Sequence, residues 1–320
     1  MKSYLLRILP LLALASLPLT VGAQDGSRPP LRLVVPYSAG GTTDYVARLL
    51  QKPLSEILNQ AVVVENKPGA AGTIGTDLVA KAAPDGNTIV FGNQGPNAIV
   101  PAVRKTPYDP LEDLRPLTTV AFMPLMLMVN AEKGAKTLKE FMQQARKPGA
   151  NWNYGSSGIG SLAHITGHEF ARAGKLEMLH VPYQGGSQVM TALIQGDIHG
   201  SFVTGLETAA LVKSGGMRYL GVAAPKRVAT LPGVPTIAEE VPGFDSILWF
   251  AVFAPKGTPD ALADRLRQAV VQAVQRPEFR EYLEERHAQA KTSTPEELTQ
   301  LIKRDMTRWG QAVRNANIPM

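Results

Sequence analysis

"VVPYSAGGTTD", residues 34–44, decides how the rest of this chain is read. An apolar run with β-branched residues stops abruptly in hydroxyl-bearing residues and glycine, and a helical pattern follows at once over 45–58. That is a buried strand meeting a helix, and glycine at the junction lets the backbone approach another group closely. The helix directs unpaired N–H groups and partial positive charge into the same space, which suits an anion.

Outward from this junction, strand and helix patterns alternate. Residues 31–35 read as strand, 45–58 as helix with a kink at Pro53, 61–64 as strand, 73–83 as helix stopped by Pro84-Asp85-Gly86, and 88–91 as strand. A βαβαβ order predicts a parallel sheet covered on both faces. Connections with Pro101, Pro107, Pro110 and Pro116 lead to an apolar run at 123–129 and a helix at 137–146. A second set follows: strand 151–154, loop 155–161, helix 162–173, strand 178–181, helix 187–195, and strands 198–203 and 217–222. An aromatic strand at 247–254 precedes two closing helices. Thr258-Pro259 starts the first, with Leu262, Leu266, Ala269, Val270, Ala273 and Val274 on one face. The capping box Thr294-Pro295-Glu296-Glu297 starts the second, with Leu298, Leu301, Ile302, Met306, Trp309 and Val313 as its core stripe. The expected architecture is α/β with two lobes and a cleft between them. Residues 24–122 and 223–320 form lobe 1, and 123–222 form an inserted lobe 2.

The opening loop has counterparts. Gly/Ser/Asn-rich segments follow strands at "SAGGTTD" (38–44), "GNQGPN" (92–97), "GSSGIGS" (155–161) and "YQGGS" (183–187). Any one of them alone is more often just a tight turn. Their recurrence in both expected lobes is the signal, because ligands of open parallel sheets sit beyond the carboxyl ends of the strands. Two such loops facing across a cleft suit a molecule with carboxylates at both ends. Charge-assisted hydrogen bonds contribute about 1.5–3 kcal/mol each, so several suffice without lysine or arginine.

The bulk properties narrow the classes. Lys2 and Arg7 precede an apolar stretch at 5–19 and the small residues Val21-Gly22-Ala23, the pattern of a signal peptide over 1–23 cut near Ala23. Pro10 and Pro18 interrupt that stretch, and it is shorter than the ~20 residues needed to span a bilayer. An exported, periplasmic protein is expected. Without the leader's two cations the formal charge falls from +6 to +4, and the remaining Lys and Arg are scattered, which argues against nucleic acid. There is no cysteine, hence no disulfide or thiolate metal site. His164 and His168 share a helix face, but no third ligand stands at useful spacing, so no metal and no other cofactor is expected. "GSSGIG" fits neither G-x-G-x-x-G nor the nucleophile elbow, since Ile159 stands where the final Gly belongs. An exported hydrolase using Ser156 or Ser157 with His164 is therefore set below a non-enzymatic reading.

"VVPYSAGGTTDYVAR" (34–48), "VVVENKPGAAGTIGTDLVAKAAPDGNTI" (62–89), "NYGSSGIGSLAHITGHEF" (153–170) and "HVPYQGGSQVMTALIQGDI" (180–198) carry a family resemblance. "RVATLPGVPTIAEEVPGF" (227–244) and "WFAVFAPKGTP" (249–259) extend it over essentially the whole mature chain. The sequence resembles the extracytoplasmic solute receptors of tripartite tricarboxylate transporters, the Bug- or TctC-like proteins. That resemblance implies a type II periplasmic binding protein of Venus-flytrap form, each lobe a mostly parallel sheet flanked by helices. It implies a small organic carboxylate as ligand (a di- or tricarboxylate, an acidic amino acid or an aromatic acid) and integral-membrane transporter subunits as partners. By the same resemblance, the first carboxylate meets Tyr37, Ser38, Gly40, Gly41, Thr42 and Thr43, with Asp44 capping or bracing the loop. The second lobe offers Ser156, Ser157, Gly160 and Ser161, with Gln184, Gly185 and Gly186 nearby; Asn93 and Asn97 read the ligand's middle, and His164 caps or packs near the serine loop. His199 stands where many relatives carry an acid, and "SFVTG" (201–205) replaces a more polar segment, so the choice of ligand stays open, above all for an amino-bearing one. Monomeric action suits a receptor that opens and shuts. A sensor subunit presenting its solute to a signalling receptor is the alternative.

Overall fold

The computed structural model describes residues 28–315, so the expected leader and its cleavage site near Ala23 lie outside the described residues. The chain begins with β1 (Leu31–Val35), α1 (Thr42–Leu58), β2 (Val62–Asn66), α2 (Thr73–Ala80) and β3 (Thr88–Asn93). Both β2 and β3 run parallel to β1, as the alternating pattern requires. Pro53 lies inside α1 without ending it. After α3 (Val100–Val103), β4 (Leu114–Pro124) passes through one residue into β5 (Met126–Asn130). The middle region is α4 (Leu138–Ala145), β6 (Trp152–Ser156), α5 (Leu162–Gly174), β7 (Met178–Pro182), α6 (Gly186–Gln195), β8 (Gly200–Val203), α7 (Gly205–Lys213) and β9 (Met217–Val222). The chain closes with β10 (Ile247–Pro255), α8 (Asp260–Gln275), α9 (Pro277–Glu284), β11 (Gln289–Ala290) and α10 (Pro295–Asn315).

These strands build two sheets, in the orders β11-β4-β10-β3-β1-β2 and β7-β6-β8-β5-β9. Both are mixed rather than mostly parallel. Helical crossovers keep β1 to β3, and β6 to β8, parallel. In contrast, β10 is antiparallel to β3 and β4, and β5 is antiparallel to β8 and β9. These are the strands that carry the chain directly between sheets; without a crossover helix they meet their neighbours head to tail.

Each sheet is covered on both faces, and the period-2 alternation of side chains shows how. Leu31, Leu33 and Val35 of β1 pack with Val46, Leu50 and Leu54 of α1. Val34 faces the other way, into a cluster with Leu298, Leu301 and Ile302 of α10. In β5, Leu127 and Val129 join one core while Met126 and Met128 join another with Val189 and Leu193 of α6. The aromatic strand belongs to this packing. Phe91 and Phe250 stack with centroids 5.4 Å apart, and the Trp249 indole donates to Asp305 Oδ2 at 2.7 Å.

The two sheets are joined where three chain passages meet. Leu125 N donates to Ser246 O (3.0 Å), Ala223 N donates to Leu125 O (2.7 Å), and Ser246 N donates to Ala223 O (2.9 Å). Between the last two residues the chain stays with the second sheet. Val228, Leu231 and Val234 pack against its methionine-rich core, and the Phe244 ring lies 5.9 Å from Phe170 and 6.2 Å from Phe202.

The tightest helix-to-strand approach predicts a measurable cost. A Cβ on Gly167, in the middle of α5, would stand 2.2 Å from the buried Tyr154 ring of β6. Alanine in an exposed helix interior normally gains up to about 1 kcal/mol over glycine. Overpacking of about 1–3 kcal/mol reverses that here. Gly167→Ala is expected to lower the denaturation midpoint; an unchanged or raised midpoint would contradict this packing.

Candidate functional site

The N-termini of α1, α5, α6 and α7 meet at one cavity of about 80 Å³ between the sheets, with the joining residue Leu125 in its wall. A single water position needs about 10–15 Å³ on the same footing, so a small solute fits in place of several waters. The N-cap residues of α1, α6 and α7 (Gly41, Gly185 and Thr204) supply no side-chain hydrogen bond to their first turns. First-turn amides of three helices are thus left without an internal cap beside one space. Only α5 is capped, Ser161 Oγ accepting from His164 N at 3.3 Å.

The loop before α1 is rigidly held. Asp44 accepts from Gly40 N (3.0 Å), Arg48 Nε (2.8 Å) and, through its other oxygen, Asn66 Nδ2 (2.9 Å). Burial would push its carboxyl up, but the hydrogen bonds from Arg48, Gly40 and Asn66 outweigh it and hold the pKa below the ordinary value. The Tyr37 hydroxyl lies 3.1 Å from both Ala71 O and Asn93 Oδ1, and its pKa is raised by burial. Asn93 Oδ1 also accepts from Gly95 N at 2.9 Å, while Asn97 Nδ2 donates to Asn93 O at 2.8 Å.

On the opposite side, Ser156 is fully buried and its Oγ lies 2.6 Å from His180 Nε2 and also bonds the Gly158 backbone. His164, whose Nδ1 accepts from Gly160 N, stacks on His180 with centroids 3.9 Å apart. The pairing considered for a hydrolase, Ser156 or Ser157 with His164, is not the one formed; Ser156 bonds His180 instead and is fully buried, outside the cavity wall. Ser38 Oγ donates to Gln184 O at 3.4 Å, and Thr42 and Thr204 share a hydrogen bond of 2.8 Å across the cavity. Gly185 eases this contact between loops, since a Cβ on it would reach Ser38 Cβ at 3.2 Å.

Of the residues read from sequence, Tyr37, Ser38, Gly41, Thr42, Thr43, Asn93, Ser157, Ser161 and Gly186 line the cavity. Gly40, Asn97, Ser156, Gly160, Gln184 and Gly185 stand outside its wall, with Gln184 lining an adjoining groove of about 600 Å³ that shares Tyr37 and Ser157 with the cavity. Sequence reading missed the apolar wall of Leu125, Leu162, Ala163, Phe202, Val203 and Leu248, and above all Thr204 and Glu207. These last two follow β8 at the start of α7, in the same strand-to-helix position as the other loops. The segment "VTGLE" (203–207) has too little Gly and Ser to stand out by composition. His199, whose replacement of an acid raised doubt, is exposed; it hydrogen-bonds Asn153 Oδ1 at 2.7 Å, stacks on Trp152 and is not part of the wall.

Among the described residues, no Lys, Arg or His lines the cavity. Among the described residues no group of three or more His, Cys, Asp or Glu is placed to hold a metal, and none of the helices there is long and apolar enough to cross a membrane. A wider depression of about 770 Å³ lies elsewhere, beside the Arg32–Glu65 pair. It has no converging helix termini and is set aside.

The buried imidazoles give a pH dependence. Desolvation lowers the pKa of His164 to about 3 and of His180 to about 4, and lowers that of His168 as well. Unfolded histidines titrate near ~6.5, so below that pH the unfolded chain binds more protons than the folded one. Their stability contribution is complete above ~6.5 and is lost as pH falls toward 4. Melting temperature is expected to fall over that window, with a shallower slope in His180→Asn. Equal slopes for both proteins would contradict this.

The family described as "Tripartite tricarboxylate transporter family receptor" matches residues 46–318. The UPF0065 protein in the tcbD-tcbE intergenic region of Pseudomonas sp. (strain P51) is 35% identical over 89% of this chain and 85% of its own. Protein BugT of Bordetella pertussis is 31% identical over 95% and 94%. Among solved structures, periplasmic binding protein BugD superposes with a TM-score of 0.86 at 32% identity, over 90% of this chain and 98% of that one. MatC from Rhodopseudomonas palustris with bound malate gives a TM-score of 0.83 at 30% identity, over 88% and 98%. An R. palustris protein with adipate gives 0.86 at 31% identity, over 92% and 99%. The two mixed sheets, the helices that flank them and the site between make this a two-lobed α/β solute-binding protein that belongs to the tripartite tricarboxylate transporter receptor family.

Proposed function

We propose that this chain is a periplasmic receptor that captures a small organic carboxylate between its lobes and delivers it unchanged to integral-membrane transporter subunits. The observation that carries the reading is the cavity at which four helix N-termini meet without a basic side chain in the wall. Peptide and hydroxyl donors at such a site favour a carboxylate over a neutral or cationic solute. The malate and adipate held by the two R. palustris relatives support the same ligand class. Several charge-assisted bonds of about 1.5–3 kcal/mol reach the ~8 kcal/mol of a micromolar complex after association costs. Residues 37–43 with Asn93, and 157–161 with Gly186, are the proposed donors; Asn97, Ser156, Gln184 and Gly185 support them from behind. Export with removal of residues 1–23 completes the proposal.

The lobes proposed here meet at Leu125, Ala223 and Ser246, where the backbone bonds of the three passages form a hinge. The expected division, 24–122 with 223–320 against 123–222, shifts accordingly, because 224–244 packs on the second sheet. Closure brings each lobe's donors onto one ligand, so the closed form gains contacts that the open form lacks.

Two outcomes are expected. In a thermal-shift screen of mono-, di- and tricarboxylates, amino acids and aromatic acids, at least one carboxylate raises the melting temperature. A shift only with a sugar or a metal cation would refute the ligand class. A Cβ on Gly205 would stand 2.2 Å from Arg286 O, across the junction between lobes. An overpacking penalty of about 1–3 kcal/mol confined to the closed form makes Gly205→Ala bind roughly tenfold more weakly while unfolding at a near-normal temperature. Unaltered affinity would mean that closure is not part of binding.

A further inference from the structure

We propose that Glu207 is a specificity-determining residue that selects a ligand bearing a protonated nitrogen beside its carboxylate. The proposal rests on the carboxylate reading above and narrows it to aminocarboxylates. Glu207 lies in the first turn of α7 and lines the same cavity as Thr42, Ser157 and Gly186. Its side chain is half-buried as a whole, but Oε2 is enclosed and has no hydrogen-bond partner. A Cβ on Gly186 would stand 2.6 Å from that oxygen, so only glycine leaves the space it occupies. Every other polar side chain in the wall is an uncharged hydroxyl or amide.

An acid in the first turn of a helix also favours the helix dipole. That role alone asks for a carboxylate in water, not one with an enclosed and unpartnered oxygen. A buried acceptor left without a donor is unfavourable, and a cationic N–H from the ligand is the group that completes it best. The electrostatics agree. Burial raises the Glu207 pKa to about 7 despite hydrogen bonding from the Thr42 hydroxyl and backbone N–H, and a cationic ligand nitrogen would hold the carboxyl ionised. Above that pH a plain dicarboxylate would instead bring a second negative charge against it. The ligand's carboxylate then sits at the first-turn amides of α6 and at those of α1 beyond Thr42, whose own N–H faces Glu207, and its nitrogen sits at Glu207 Oε2.

The test uses matched pairs that differ only in the amino group: aspartate against succinate, and 2-aminoadipate against adipate. Each is titrated calorimetrically into the wild-type protein and E207Q at mildly alkaline pH, where Glu207 is ionised. In at least one pair the amino member is expected to bind the wild type roughly tenfold or more tightly, with that preference lost in E207Q. Wild-type protein that binds the plain diacid as tightly as its amino partner overturns the proposal and leaves the carboxylate reading intact. An amino preference that survives in E207Q also overturns it. If no carboxylate binds the wild type, both readings fall. Should E207Q fail to fold, the wild-type comparison decides alone.

Discussion

The structure depends on the convergence of four helix N-termini on one small cavity. Each helix begins immediately after a strand or a strand-end loop, and each must place its first-turn amides somewhere. The chain places them in a shared space and leaves three of the four termini without a side-chain cap. Unpaired amides in a partly desolvated space are unfavourable until something accepts from them. Such a site favours a hydrogen-bond acceptor. Asp44 braces the loop before α1 from outside the cavity, while Tyr37 and Asn93, bonded to each other, form part of its wall.

The same arrangement ties binding to lobe contact. Donors come from both sides of the cavity, and Leu125 belongs both to the backbone junction between the sheets and to the wall. A solute that satisfies the α1 amides is therefore also within reach of α5, α6 and α7 when the lobes meet. Glycines at Gly186 and Gly205 permit that approach, since a Cβ there would press on the Glu207 carboxyl or on Arg286 O. Glu207 is the one acidic side chain in this donor-rich wall. In the proposal it gives the site a sign pattern, positive at the helix termini and negative at the start of α7 when ionised.

Much of this was legible beforehand, for physical reasons that can be named. β1, β9 and the start of α5 fall where periodicity places them, because buried strands and capped helices leave strong local signatures. The capping box at Thr294 forms as read, Thr294 N donating to Glu297 and Glu297 N to Thr294. β4 was missed because Pro116 lies within it and proline reads as a break, although β4 sits beside β10 and the short β11 near the sheet edge. The antiparallel insertion of β5 and β10 was also invisible, being a property of the path between sheets rather than of any local pattern. Glu207 was missed for a related reason. A single acid in a helix's first turn is ordinary in sequence, and only the fold reveals that its Oε2 is enclosed in a cavity wall.

The most direct test of the central idea is a crystal structure with a bound carboxylate. Its carboxylate oxygens should lie within hydrogen-bond distance of first-turn amides at Thr43 or Gly186, with the rest of the molecule inside the cavity beside Leu125. A carboxylate held instead in the outer groove, paired with Arg104 and away from the helix N-termini, would contradict it.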